Sequence, residues 1–239
     1  MLYTSVEFKI YDEGMETSLT CFIAESLTKA IVEHRLMPGT KLSEQKLANH
    51  FGVSRTLVRQ ALFQASQNRL IKLEPTRGAF VATPSMEEAR QVLAVRRMLE
   101  VEMVRNFAAQ QDFCRLLKLK AHVAAEKKAI AAEDVGQRTE LLGDFHVRMA
   151  ELMGNEVLAQ LLGELISRCA LITLMYQSAS AAEHSHEEHS DIVSALAAGD
   201  AEHAVLLMQQ HFDHMEEGLS FNRTLPTHDL SMALSSVSL

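Results

Sequence analysis

Between Ser43 and Ala65 the chain reads SEQKLANHFGVSRTLVRQALFQA, and few folds accommodate this stretch. Ser43 is placed to cap a short helix running to about His50, because its side-chain oxygen can accept a backbone N–H of the following turn. Phe51-Gly52-Val53 predicts a tight turn in which Gly52 takes a positive φ. Ser54 caps a second helix, and Val58, Ala61, Leu62 and Ala65 fall at i, i+3, i+4 and i+7, the spacing of a buried face. Two short helices held at a fixed angle by one glycine turn must bury their inner faces against a third element.

That third element precedes them. From Met15 to Leu36 the apolar residues Leu19, Phe22, Ile23, Leu27, Ala30 and Ile31 follow a 3.6-residue period, which Pro38-Gly39 ends. After Ala65 the period changes. Leu70–Leu73, a turn over 74–78 and Ala79–Ala82 predict a short hairpin. Three helices and a hairpin make a winged helix-turn-helix over residues 15–83, linker included, behind an N-terminal tail at 1–14. From Met86 onward the pattern is helical, with helices expected at about 86–110, 112–133, 136–153, 155–179, 184–198 and 200–220. Gly154-Asn155 and Gly199-Asp200 give stop-then-start signals. The expected fold class is mainly α: the winged unit, then an all-α antiparallel helical bundle over 84–221 and a C-terminal tail at 222–239.

Charge divides the same way. The chain carries −8 overall, yet residues 16–82 hold nine Lys+Arg against five Asp+Glu, while 83–239 hold thirteen against twenty-three. A basic module joined to an acidic one implies different partners for each. Three scattered cysteines (Cys21, Cys114, Cys169) fit a reducing compartment rather than a disulfide framework. With no basic-then-apolar leader and no run of about 18 apolar residues, the expected location is cytoplasmic, with no membrane partner.

The helix after Ser54 bears the chemistry. Arg55 and Arg59 are four apart and share a face opposite Val58 and Leu62, with Thr56 around the exposed side. The second helix of a helix-turn-helix presents its N-terminal residues to the major groove, where arginine grips guanine O6 and N7. Surface arginines are usually just solvated; the capping serine and the Gly-Val turn single these out. At the hairpin tip Arg77 can reach a phosphate or the minor groove, and Gly78 lets the backbone approach closely, though a plain turn glycine reads the same.

The stretch AIVEHRLMPGTKLSEQKLANHFGVSRTLVRQALFQASQNRLIKLEPTRGAFV resembles the DNA-binding domain of the GntR family of bacterial transcription regulators. Its carriers are PG-x-KL, LA-x-x-FGVSR-x-x-VR-x-AL and RGAFV. The resemblance implies operator contacts by Arg55, Thr56, Arg59 and Gly78. Leu57 and Gln60 stand where the family commonly has Pro and Glu, and Gln45 where some members have a DNA-contacting arginine. The docking mode is thus inherited, and the operator sequence is not.

In the helical part, His189 and His211 are 22 residues apart with the break at Gly199-Asp200 midway. Two helices folding back there would set both imidazoles level, roughly 16 Å from the turn, as in bundle metal sites. His146, in GDFHVRMAELMGN, shares part of its face with Met149, Leu152 and Met153 and points inward. His184 and His186, in EHSHEEH, read as solvated, and His122, His203, His214 and His228 as surface groups or satisfied partners.

Residues 86–220 resemble the FCD effector domain of the FadR subfamily through VRRMLEVEMVRNFAA, DFHVRMAELMGN and HSDIVSALAAGDAEHAVLLMQQH. The resemblance implies a divalent metal (zinc, nickel or similar) on His146, His189 and His211, and a small carboxylate effector at or near it. The family's aspartate four residues before its first histidine is Leu142 here. Asp144 cannot replace it, because two helical residues turn a side chain about 200° away. Three histidines still hold a metal with open positions; the competing reading is a metal-free pocket whose histidines bind the effector directly. The resemblance also places Arg96 at the effector carboxylate, against an equally good reading as an i,i+4 ion pair with Glu100.

Together these imply a homodimeric, ligand-responsive regulator binding a near-palindromic operator in double-stranded DNA, and repressing a catabolic or transport operon until its organic-acid effector binds. Two other readings stay open: a metal-dependent hydrolase-like bundle, and a DNA-binding scaffold with a vestigial pocket. Against catalysis, no carboxylate general base stands at a convincing spacing, so the chain is read as a non-enzyme.

Overall fold

The computed structural model describes residues 19–67, 69–132, 135–176, 180–219 and 234. The tails expected at 1–14 and 222–239 lie outside the described residues apart from Leu234, as do His228, the start of the first helix and the last residues of three predicted helices. The chain divides into two compact units, with the boundary between Thr83 and Pro84.

In the first unit, α1 covers residues 19–32, α2 Glu44–Phe51 and α3 Arg55–Gln67. Ile23, Leu27, Ala30 and Ile31 of α1 are buried, as are Leu47, Ala48 and Phe51 of α2 and Leu57, Val58, Ala61, Leu62 and Ala65 of α3. Phe22, expected in the α1 stripe, lies at the rim and meets Phe51 edge-on with centroids 6.4 Å apart. Gly52 ends α2 at φ 64°, a backbone conformation that costs glycine least. The hairpin is β2 (Ile71–Glu74) and β3 (Gly78–Val81), paired antiparallel with Leu73 opposite Ala79. A strand the sequence did not announce, β1 (Lys41–Leu42), pairs with the other edge of β3. The sheet therefore runs β1-β3-β2.

The second unit is an antiparallel bundle: α4 (Met86–Gln110), α5 (Phe113–Ala131), α6 (Val135–Leu152), α7 (Glu156–Tyr176), α8 (Ser180–Ala198) and α9 (Ala201–Glu217). Ser85, Asp112 and Asp200 cap α4, α5 and α9, each accepting a backbone N–H of the first turn. Helix α4 packs mainly on α9 and α7, α6 lies against α5 and α7, and α8 against α9 and α5. The core joins Met103, Val104 and Phe107 to Phe145, Met149, Leu162, Ile192, Met208 and Phe212. At Gly143 a Cβ would stand 2.8 Å from Ile166 Cγ2, so glycine there lets α6 and α7 close up. Helix α8 begins at Ser180, earlier than its polar sequence suggests. Among the described residues, α7 is the one helix long and apolar enough to cross a membrane, with mean hydropathy 1.6, although Glu164 and Arg168 interrupt its apolar run. Leu162, Leu165, Cys169 and Ile172 of that helix are nevertheless buried in the bundle.

Candidate functional site

Two sites emerge, one in each unit. In the first, Ser54 Oγ accepts the Leu57 N–H at 3.2 Å and starts α3 at Arg55. With Leu57, Val58, Ala61 and Leu62 turned inward, Arg55, Thr56, Arg59 and Gln60 form an exposed face. Arg55 and Arg59 keep 58% and 68% of their side-chain surface. They converge on a carboxylate the sequence reading passed over. Arg59 Nε donates to Glu44 Oε1 at 3.0 Å and its NH2 to Oε2 at 2.8 Å, while Arg55 NH2 donates to Oε2 at 3.1 Å. The hydrogen bond from Arg59 outweighs the opposing effect of burial and, with the hydrogen bond from Arg55 and both positive charges, holds the Glu44 carboxyl below its ordinary range.

On the hairpin, Arg77 is 70% exposed, donates to Glu74 at 2.6 Å, and lies over the Phe80 ring at 5.3 Å. Gly78 sits at φ 100° with nothing within 4 Å of the place a Cβ would take. The glycine answers a backbone demand rather than a lack of room. Gln45 donates to Asn49 at 2.9 Å on the exposed side of α2.

The second site is built by α6, α8 and α9. His146, His189 and His211 are all buried, and their ring centroids stand 5.0, 5.4 and 5.2 Å apart. One nitrogen from each lies within 4.8 Å of the other two. Nε2 of His189 and Nε2 of His211 are buried with no hydrogen-bond partner, whereas buried Nδ1 of His146 has the Glu100 carboxylate beside it. A buried polar atom left without a partner costs about 1–3 kcal/mol, and a metal ion held by the three rings satisfies both at once. The donor set therefore fits a divalent metal with three imidazole ligands and open positions. Leu142, one turn before His146, offers no fourth donor.

Carboxylates stand behind the imidazoles. His189 Nδ1 faces Glu126 at 3.1 Å, and His211 Nδ1 faces Glu188 at 2.5 Å. An ionised carboxylate only accepts, so Glu188 holds the proton on His211 Nδ1 and turns the Nε2 lone pair of that ring inward. Phe145 stacks on the His189 ring at 4.0 Å and fixes its plane. Burial, and then the neighbouring His211, drive His189 well below the usual imidazole range. Burial lowers His146 to about 3, with the opposing pull of Glu100 too weak to restore it. Both rings are neutral, as ligands must be.

Arg96 is buried on α4 and fully engaged. Its Nε donates to Glu100 at 2.7 Å, NH2 to the other carboxylate oxygen at 3.3 Å, and NH1 to Cys169 Sγ at 3.4 Å, with the guanidinium 5.3 Å from the Phe212 ring. Glu100 also lies against His146. Burial works to raise Glu100, but Arg96 and then His146 outweigh it and hold the carboxyl at about 2. Arg97 turns away, pairing with Asp213 at 2.7 Å.

His186, read from sequence as solvated, is half-buried with Nδ1 3.0 Å from Glu126, and His122 reaches the Leu141 carbonyl at 2.9 Å. Burial pushes Glu126 up to about 7, against the hydrogen bond from His186. The Arg96–Glu100 ion pair read from the i,i+4 spacing is present. Glu44, Glu126 and Glu188 are the site residues that sequence reasoning missed.

A model described as bacterial regulatory proteins of the gntR family matches residues 19–81, and the FCD domain model matches 91–214. The chain is similar to the HTH-type transcriptional repressor RspR of Escherichia coli strain K12, 27% identical over 194 residues covering 81% of this chain and 85% of that protein. It is also similar to the HTH-type transcriptional regulator LutR of Bacillus subtilis strain 168, 26% identical, covering 77% of this chain and 94% of that one. Among solved structures, a transcriptional regulator from Rhodococcus sp. RHA1 aligns with a TM-score of 0.75 at 28% identity, covering 84% of this chain and 96% of that one.

Proposed function

Because the chain belongs to the GntR family of bacterial regulatory proteins and carries an FCD domain, we propose that it is a repressor that binds its operator as a homodimer and releases it when a small carboxylate reaches the histidine site. It is a transcription regulator and not an enzyme. Repression is supported by RspR, a repressor by name. The partner on the first unit is double-stranded operator DNA, with Arg55, Thr56 and Arg59 reading the major groove and Arg77 and Gly78 of the wing on the adjoining backbone. Two copies related by a two-fold axis match the halves of a near-palindrome.

The observation that carries the sensing half is the convergence of three buried imidazoles, His146, His189 and His211, with the Nε2 atoms of the last two left without partners. Those three residues would hold the divalent metal. When bound, the metal supplies an electrophilic centre for a carboxylate oxygen. The rest falls to the chain. Glu126 and Glu188 orient two of the rings. Arg96, assigned to the effector carboxylate, already holds Glu100, so it serves an incoming carboxylate by sharing or exchanging that partner. Glu100 and Arg96 lie on α4, the helix that follows the linker, so a change at Glu100 acts on the element joined to the DNA-reading unit. A ligand shifts the protein toward release only insofar as it binds that arrangement more tightly.

The test is a thermal-shift screen of organic acids with and without chelator, followed by DNA binding with each acid that scores. Stabilisation lost on chelation, together with weakened DNA binding, supports a metal-assisted sensor. Stabilisation that survives chelation supports direct binding by the histidines, and no response to any acid supports the scaffold reading.

A further inference from the structure

Both arginines of the α3 face are held by one side chain from another helix. Glu44 opens α2, eleven residues before Arg55, and its two oxygens receive three N–H donors from Arg55 and Arg59. The Glu44 side chain keeps only 25% of its surface, while the arginine side chains keep more than half of theirs. The way Arg59 is held matters most. A guanidinium offers two forked edges, one formed by Nε with NH2 and one formed by the two terminal nitrogens. Glu44 takes the Nε–NH2 edge of Arg59, and the terminal edge stays free, the edge that closes on guanine O6 and N7. Arg55 commits only NH2 and keeps the rest of its donors.

We infer that Glu44 is a positioning residue for base reading: it clamps the Arg55 and Arg59 guanidinium groups so that their free edges face the groove, and its negative charge keeps them from collapsing onto phosphates. This rests on the reading of the α3 face as the DNA-reading surface. Two physical effects support it. An unclamped arginine loses rotamer freedom when it binds, and a partner within the protein removes part of that cost beforehand. The carboxylate also reduces the pair from two positive charges to a net of one. That weakens sequence-independent attraction to the backbone, which scales with the phosphates neutralised, and raises the relative weight of the bases. A repulsive element set beside an attractive one is a recognised route to specificity.

The experiment uses the full-length protein, a randomised double-stranded DNA library and a scrambled duplex. Wild type is selected on the library, and the enriched duplex is then titrated against wild type, Glu44→Ala and Glu44→Gln over a range of salt. With Glu44→Ala, preference for guanine at the positions facing α3 should fall about tenfold, while affinity for the scrambled duplex rises. Glu44→Gln, which keeps one acceptor oxygen, should fall between. A variant that merely folds less well weakens both duplexes together, and circular dichroism reports it. Opposite movement of the two affinities is the signature of positioning. If Glu44→Ala leaves base preference unchanged, or strengthens the selected duplex more than the scrambled one, Glu44 is a competitor or a bystander and the inference fails. If wild type enriches no sequence at all, it is the reading of the DNA-binding face that fails instead.

Discussion

Glu100→Ala should be among the most damaging single substitutions in the helical unit. The carboxylate is wholly buried and receives two hydrogen bonds from an Arg96 side chain only 3% exposed. Removing it leaves a guanidinium in the bundle with only the Cys169 sulfur and the Phe212 ring as remaining partners. Breaking a buried pair in this way costs about 3–5 kcal/mol, a large part of the roughly 5–15 kcal/mol that holds a domain folded. At the usual urea dependence of about 1–3 kcal/mol per molar, the transition of the helical unit should fall by about 1 M or more. The assay is urea unfolding followed by far-ultraviolet circular dichroism, in which two independent units show two steps. A double replacement, Arg96→Met with Glu100→Leu, removes both charges together and should recover most of the loss, since apolar isosteres of a buried pair are often neutral. A loss under about 1 kcal/mol for Glu100→Ala, or a double variant no better than the single, would refute the pair as a matched buried unit.

Other outcomes follow from the same geometry. Arg59→Ala should abolish preference for the selected duplex while leaving helix content and assembly intact, as read by DNA titration, circular dichroism and sedimentation. Arg77→Ala, which removes a wing cation, should weaken selected and scrambled duplexes alike and lower the salt slope by about one. His189→Ala with His211→Ala should strip co-purifying metal, measured by elemental analysis; stoichiometric metal retained in that variant would mean the ligands lie elsewhere. Glu188→Gln keeps the ring of His211 in place but weakens its orientation, and should lower metal affinity about 10-fold, read by competition with a chromophoric chelator.

Elements with a strong local period were legible. Both helices of the helix-turn-helix, the hairpin and the bundle helices from Met86 onward follow from apolar spacing and capping residues. Strand β1 was not, because Lys41–Leu42 is too short to carry a period and exists through its pairing with Phe80 and Ala79. The start of α8 was obscured for a related reason. The polar run EHSHEEH, placed at the start of a helix from 184, reads as solvated, yet His186 and His189 project from it onto Glu126 of α5, a partner 60 or more residues away in the chain.

The same contrast separates the candidate residues from their supports. Arg55, Arg59, His146, His189 and His211 announce themselves through spacing within a helix or about a break. The glutamates that hold or orient them do not: Glu44, Glu126 and Glu188 act from a different helix, and Glu100 reaches His146 from α4. A glutamate in a helix looks like surface in any sequence, because nearly all are. Burial decides otherwise only once the bundle closes, when a carboxylate without a cation or imidazole beside it would carry a large desolvation cost. Each of these four has such a partner, and Arg96 holds Glu100 in its charged form against His146. The bundle thus brings a carboxylate close to the histidine site by tertiary packing, although Leu142 lacks the one expected from the same helix as His146. Glu100 can stand there because α4 also carries Arg96 one turn earlier, paired with it at 2.7 Å, and no motif around His146 contains either residue.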